Sequence, residues 1–205
     1  MTRIDNDEIP VDIREFASSL GLKVEKLSPM HAGVLREMFK PGTEHIADYL
    51  VWGKNASKWD TRACLFWIQD LLREPEPNER YAFLRGSQMV GMGGLGGFKT
   101  GLGEFEDSRH IQLAYWVGKK HLGKQYGDRI IKVMERIAFE FRHYSYLHVI
   151  HDSSNHTTSH MAIRLGYTFE DFYDGEIKGN KESGLYYSWV KQNPALNDVL
   201  TMNSN

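Results

Sequence analysis

The sequence is poor in the features that narrow a protein's class quickly. It holds a single cysteine among 205 residues, which excludes a disulfide framework and a cysteine-built zinc site. No window approaches the roughly 18 uninterrupted apolar residues of a membrane-spanning helix, and the opening "MTRIDNDEIPVDIREF" lacks the apolar core of a signal peptide. An excess of one charge is missing too. With 25 Lys and Arg against 27 Asp and Glu, no global field draws the chain to nucleic acid or to an anionic membrane, and any basic patch must be local. Repeats and low-complexity blocks are also absent. These absences leave a soluble, cytoplasmic protein as the expectation, in which the sequons at Asn55 and Asn155 carry no meaning.

What is there is a series of alternating segments, long enough together for one domain with a sizeable core. Residues 1–20 and 193–205 read as loosely held ends around a domain of residues 21–192. "LKVEKLSP" (22–29) alternates as a strand does, and "MHAGVLREMF" follows with helical spacing. "SKWDTRACLFWIQDLLRE" (57–74) predicts a helix opened by a capping box of Ser57 and Asp60, with Cys64, Trp67, Ile68, Leu71 and Leu72 on its apolar face. Cys64 is there a small buried hydrophobe. "YAFLRGSQMVGMGGLGGF" predicts two strands turning at Gly86 and Ser87. A glycine-rich, acidic loop leads to a strand at 110–117. Next comes a long amphipathic helix with Ile130, Ile131, Met134, Ile137, Ala138 and Phe141 on its inner stripe. A strand at 146–152, a short helix near 157–165 and strands at about 167–177 and 184–191 complete a mixed α/β domain.

The stretch "LAYWVGKKHLGKQYGDRI" (113–130) runs from strand to helix through a loop that is basic and glycine-bearing. The first N–H groups of a helix have no partner inside it and attract anions. Gly123 and Gly127 let the backbone approach a ligand, and Lys119, Lys120, Lys124 and Arg129 add positive charge, with Asp128 discordant. A diphosphate fits this description; solvated lysines and glycines that merely turn the chain fit it as well. Upstream, "GMGGLG" (91–96) matches G-x-G-x-x-G through Gly91, Gly93 and Gly96, but no helix follows as a dinucleotide site requires, and Phe98 breaks the Walker pattern in "GGFKT". Those glycines read as strand positions that a neighbour passes closely. His148, His151, His156 and His160 crowd one segment, yet a metal needs a third ligand and a supporting shell, and none is expected.

The run "LAYWV", "HLGKQYG", a long helix, a strand and then "NHTTSHMAIRLGYTFE" resembles the GNAT acetyltransferase superfamily, and within it the ribosomal-protein N-acetyltransferase branch. The likeness covers most of the chain. Asn155, Thr158, Leu165, Gly166 and Tyr167 follow the branch's Asn-x-x-Ser segment, with Thr for Ser and Tyr for Phe. In the diphosphate loop, Gly123, Lys124, Tyr126 and Gly127 keep the family form, while Leu122 and Gln125 depart from it. The resemblance implies a GNAT fold, a mostly antiparallel mixed sheet with flanking helices, whose strands at 110–117 and 146–152 splay to admit the pantetheine arm of acetyl-CoA. It implies a diphosphate on loop 122–127 and a backbone N–H near Trp116 or Val117 that stabilises the oxyanion. It also implies direct attack by a primary amine, without metal.

For the chemical roles, the resemblance implies Thr158 as the acid that protonates the leaving thiolate, with Ser159 beside it, and Asn155 as a pantetheine contact. Helix capping is the competing role for Thr158. Where many relatives carry a carboxylate base stands Gln112, which cannot serve, so His110 or one of Glu104, Glu106 and Asp107 would have to replace it. The tyrosine acid of other relatives is here Ala162. Trp52 and Trp59 would line the acceptor site or belong to the core. The expected acceptor is a protein N-terminus, a polyamine or a small amino compound. A homodimer is compatible with this reading, whereas membrane and nucleic-acid partners are not expected. The departures at Gln112, Leu122, Gln125 and Ala162 motivate one alternative, an acyl-CoA-binding regulator with little turnover.

Overall fold

The alternating segments assemble into one seven-stranded sheet in a computed structural model that describes residues 8–50, 52–74, 78–96, 109–175 and 184–196. The strands are β1 (Lys23–Lys26), β2 (Asn78–Arg85), β3 (Gln88–Gly96), β4 (His110–Val117), β5 (Tyr146–Asp152), β6 (Thr168–Gly175) and β7 (Gly184–Gln192). Their spatial order is β1-β2-β3-β4-β5-β7-β6. Every neighbouring pair is antiparallel except the central β4 and β5, which run parallel. A parallel pair needs a crossover, and the long amphipathic helix supplies it.

Period-two alternation sends successive side chains to opposite faces and so creates two cores. One face carries α1 (Val11–Ser19), α6 (Tyr126–Arg136) and α7 (His156–Arg164), whose Ile130, Ile131 and Met134 pack with Ile111, Leu113, Leu147 and Val149. The other carries α2 (Ala32–Phe39), the single turns α3 (Glu44–Ala47) and α4 (Gly53–Ala56), and α5 (Thr61–Leu72). There Leu35, Phe39, Cys64 and Ile68 pack on Ala82, Leu84 and Met92.

The glycines of β3 are explained by this packing. A Cβ on Gly91 would lie 2.4 Å from the Trp116 carbonyl oxygen and 2.7 Å from Ile130 Cδ1, and one on Gly93 would lie 2.9 Å from Met134 Sδ. They let α6 and β4 come close, and the "GMGGLG" run is strand throughout.

Several local expectations are corrected. The helix expected from Ser57 begins at Thr61, and Asp60 alone caps it by accepting the Ala63 N–H at 2.7 Å. Ser57 instead ends α4, because residues 53–56 already form a helical turn and Asp60 returns the chain to extended backbone. Leu72 is exposed, so the apolar stripe stops at the partly buried Leu71. The inner stripe of α6 passes at Ile137–Phe141 into a π-helical turn that leaves Phe141 only partly buried. The N-terminal segment is not loose from Ile9 onward. Ile9, Ile13 and Ala17, spaced at four residues, are buried in the core beside α6.

Gly91→Ala should therefore destabilise the fold by on the order of 1–3 kcal/mol, since its methyl group meets the Trp116 backbone carbonyl, which cannot move aside, as well as the Ile130 side chain. Urea unfolding measures this, and an unchanged midpoint would show that β3 and β4 separate at no cost.

Candidate active site

The site begins where a hydrogen-bond ladder ends. β4 and β5 pair through His110 with Tyr146, Ile111 with Leu147 and Gln112 with His148; beyond that, β4 pairs only with β3, and β5 only with β7. A gap opens between residues 113–117 and the end of β5. Which backbone groups face it follows from the register. Gly118 N–H donates to Val90 O at 2.9 Å, and Val117 stands opposite Gly91, so Val117 belongs to a non-hydrogen-bonded pair. By alternation the N–H and C=O of Leu113, Tyr115 and Val117 point away from β3; the Leu113 N–H closes the last rung with β5, and the groups of Tyr115 and Val117 face the gap. The Trp116 N–H points to β3, so of the two candidates for oxyanion stabilisation Val117 has the orientation and Trp116 does not.

Helix α3 lies over the gap on one face. His45 Nε2 donates to Val117 O at 2.9 Å, and one turn later the phenol of Tyr49 is raised by burial and by the charges of Asp48 and Asp152. His45 thus ties this segment to β4.

At the open end, β4 leads through a 3-10 turn (Lys119–His121) to Leu122, Gly123, Lys124 and Gln125. Gly123 has φ +72°, and Gln125, the N-cap of α6, has φ 60° and ψ 19°. A left-handed conformation costs a non-glycine residue roughly 1–2 kcal/mol, which is the physical reason a glycine suits this position better. No side chain caps α6, so the N–H groups of its first turn have no side-chain partner. The cations are sorted by the fold. Lys119 pairs with Glu44 at 2.9 Å, Lys124 donates to Lys120 O at 2.8 Å, and Arg129 donates to Leu20 O while lying over the Tyr126 ring. His121 is lowered by burial and then by Lys124, Arg85 and Lys120, which places three cations around this loop. Asp128 is not discordant after all, because Arg164 holds it in a bidentate pair at 2.7 and 2.8 Å. Gly127 fits against Tyr115, whose Cε2 would lie 3.3 Å from an added Cβ.

Across the gap, Asn155 caps α7 by accepting the Thr158 N–H at 3.2 Å. The cap is Asn155, which leaves the Thr158 hydroxyl for another role. Thr158 is buried, and its Oγ1 lies 3.3 Å from Tyr115 Oη. That contact spans from β4 to the helix after β5. Nothing in the local pattern around Tyr115 announces it; only its position between "LA" and "WV" on a strand that splays could have done so. Ala162 is buried in the core, as its small size permits.

His110, Gln112, the tryptophans and Cys64 lie on the opposite face. His110 contacts His148, with 2.8 Å between Nδ1 and Nε2, and stacks on Tyr146 at 4.4 Å. Gln112 is buried at the apex of the gap. Glu104, Glu106 and Asp107 lie outside the described residues. Trp52, Trp59, Trp67 and Trp116 surround the buried Phe39 with ring centroids 5.2–6.2 Å from it, all four partly buried. Burial pushes the Cys64 thiol up to about 11, so it is unreactive at neutral pH. His151 accepts from Trp189 Nε1, and its Nδ1 lies 2.7 Å from Asp152 O. Among the described residues no three His, Cys, Asp or Glu are placed to hold a metal, and no helix is long and apolar enough to cross a membrane.

His121, His148 and His151 all lie below the ordinary histidine value of 6.5, burial being the largest cause in each. Between the folded value and 6.5 the unfolded chain carries more protons, so stability rises with pH across that window. The melting temperature should fall as pH is lowered from about 7 to about 5. A flat profile there would mean that these rings accept protons in the folded state without penalty.

A family model described as the acetyltransferase (GNAT) domain matches residues 24–168. Among solved structures, Mycobacterium smegmatis RimJ in complex with a CoA disulfide aligns with a TM-score of 0.71 at 11% identity, over 85% of this chain and 83% of that one. RimL, a ribosomal L7/L12 alpha-N-protein acetyltransferase in complex with coenzyme A, aligns with a TM-score of 0.68 at 11% identity, over 84% and 94% of the two chains. The microcin C7 self-immunity acetyltransferase MccE, in complex with acetyl-CoA and AMP, aligns at 0.69 with 13% identity, over 84% and 92%. No curated protein matches. At these identities the solved structures establish likeness of fold.

Proposed function

The chain belongs to the GNAT acetyltransferase family, and from that premise we propose that it transfers the acetyl group of acetyl-CoA to a primary amine by direct attack. The observation that carries the reading is the strand gap, which ends beside an uncapped helix start ringed by cations. From Val117 to Gln112 the gap runs about 16 Å at the usual strand rise. The residues fit an extended arm with an anionic end. The N–H groups at the start of α6, with Gly123, Lys124, Gln125, Tyr126 and Gly127, would take the diphosphate, with Leu122 at the rim. The gap-facing amides of Val117 and Tyr115 would pair with the arm and stabilise the oxyanion.

The acceptor side is assigned to the face of Trp52, Trp59 and Trp116, with His110 as the base that takes the amine proton. Thr158 is assigned as the acid that protonates the departing thiolate, supported by the contact of its hydroxyl with Tyr115. Asn155 commits its side-chain oxygen to the helix cap, and its amide N–H2 is the group offered to the arm. The acceptor class is a protein N-terminus, a polyamine or a small amino compound, and the protein is expected to act in the cytoplasm. The alternative, an acyl-CoA-binding regulator with little turnover, draws on Gln112 in place of a carboxylate and on the left-handed Gln125.

Incubation with isotope-labelled acetyl-CoA and cell extract, followed by mass spectrometry, identifies the acceptor. A chain that binds CoA yet labels nothing across the extract is the regulator. Acetyl-CoA should raise the melting temperature by linkage, and Gly127→Glu should abolish the rise by setting a negative charge at the anion site and pressing on Tyr115. An undiminished rise in the mutant removes loop 122–127 from the cofactor site. Thr158→Val keeps the side-chain shape and removes the proton donor, so kcat should fall about a hundredfold with CoA affinity nearly unchanged. Full kcat in that variant would mean that the thiolate leaves without this acid.

A further inference from the structure

Beside the first turns of α6, a cleft of about 470 Å³ opens between that helix, the end of α7, β7 and the end of α1. Its volume lies within the usual range of small-molecule sites, roughly 300–1,000 Å³. One wall is a single stripe of α6. Gln125, Asp128, Arg129, Lys132 and Glu135 recur at intervals of three and four residues, so they share one side of the helix. Arg164 and Leu165 at the end of α7, Lys191 of β7 and Leu20 after α1 supply the rest. The charges do not cancel. Asp128 is committed to Arg164 in the bidentate pair, and Glu135 accepts from Lys191 at 2.9 Å. Each carboxylate thus has its cation, which leaves the charges of Arg129 and Lys132 in excess. Arg129 donates to Leu20 O at 3.2 Å and lies over the Tyr126 ring, but a guanidinium carries five N–H groups and keeps its full charge. Lys132 is exposed on the same side, about one turn further along the helix.

We propose that this cleft takes the 3′-phosphate at the nucleotide end of acetyl-CoA, with Arg129 and Lys132 as the residues that recognise it. The inference rests on the acetyltransfer reading and extends it to a part of the cofactor that neither the strand gap nor loop 122–127 accounts for. Gln125 belongs to both places, since it is the N-cap of α6, beside the amides assigned to the diphosphate, and it also lines the cleft. A ligand whose diphosphate rests on those amides can continue into the cleft without leaving the surface of α6. At that end CoA carries an adenosine whose ribose bears a phosphate monoester. Such a monoester holds about −1.5 to −2 charges at neutral pH, which matches the two cations in excess. The guanidinium offers paired donors to phosphate oxygens, and the ammonium is a compact charge on a flexible stem. The Asp128–Arg164 pair keeps that carboxylate from repelling the phosphate. Leu20 and Leu165 give the base an apolar contact. Lys120, Lys124 and Arg85, grouped around His121, are left to the diphosphate. A carrier protein presents the same pantetheine arm without the nucleotide, so the cleft selects the free cofactor.

Isothermal titration of the full chain with CoA and with 3′-dephospho-CoA reads this contribution directly and needs no acceptor. The wild type should bind CoA about tenfold or more tightly than the dephosphorylated form, the usual worth of charge-assisted hydrogen bonds. Lys132→Ala and Arg129→Gln should each weaken CoA binding, and together bring the ratio close to one, while the affinity for 3′-dephospho-CoA stays at its wild-type value. Added salt should shrink the wild-type ratio, because both cations reach solvent. Equal affinity of the wild type for the two ligands overturns the proposal. So does a ratio that both variants leave unchanged, since the phosphate is then held elsewhere. A loss that falls equally on both ligands in the variants overturns it as well, because such a loss is structural. Lys132→Ala, at an exposed position, keeps the test open if Arg129→Gln fails to fold. Failure of the wild type to bind either ligand would instead overturn the acetyltransfer reading, a result distinct from equal binding of both.

Discussion

The rung between Gln112 and His148 is the constraint on which the site depends. Backbone N–H and C=O groups must find partners, and a sheet normally satisfies them strand by strand. Here the ladder stops in the middle of the sheet, between its two central strands, and leaves Tyr115 and Val117 turned toward a gap. A gap in a sheet costs stability unless something else holds its edges. On one face His45 bonds to the Val117 carbonyl, and on the other Tyr115 meets Thr158. The parallel pairing is what makes this arrangement accessible. Its crossover, α6, starts at the mouth of the gap and returns the chain to its apex.

The charges near that mouth leave the proposed anion site positive locally in a chain with no net basic excess. Glu44 neutralises Lys119 at the rim, and Arg164 neutralises Asp128, the one carboxylate in the first turn of α6. What remains around the loop is the group of Lys120, Lys124 and Arg85 that depresses His121. The pairing of Asp128 with Arg164 also joins the first turn of α6 to the last turn of α7. The same bond that removes a repulsive charge therefore also ties together the two helices that flank the gap.

Much of this was legible along the chain. Period-two alternation placed β4 and β5, the 3.6-residue stripe placed α6, and the absence of a helix after "GMGGLG" correctly sent that run into a strand. The likeness in "NHTTSHMAIRLGYTFE" pointed to α7 and its cap region. What escaped was whatever depends on partners far apart in sequence. Asp128 looked discordant because Arg164 lies 36 residues away, and Lys119 looked free because Glu44 lies 75 away. Local competition misled as well: Ser57 and Asp60 satisfy a capping pattern, but α4 claims Ser57 first. His110 and His148 come from β4 and β5, and only strand register brings them together.

The register also separates the chemistry by face. His110, Gln112 and Trp116 project to the side of α2 and α5, whereas Tyr115 projects to the side of α6 and α7, where Thr158 waits. Period two makes this unavoidable, since odd and even residues of one strand never share a face. Under the acetyltransfer reading, the base and the acid therefore stand on opposite sides of the sheet, with the gap as the passage between them. An amine arriving from the aromatic face and an arm entering from the α6 end occupy different volumes and can be held together. That geometry favours direct transfer over a covalent relay through the enzyme. The chain's one cysteine, Cys64, is buried on α5 with its thiol held protonated, so it offers no nucleophile for such a relay.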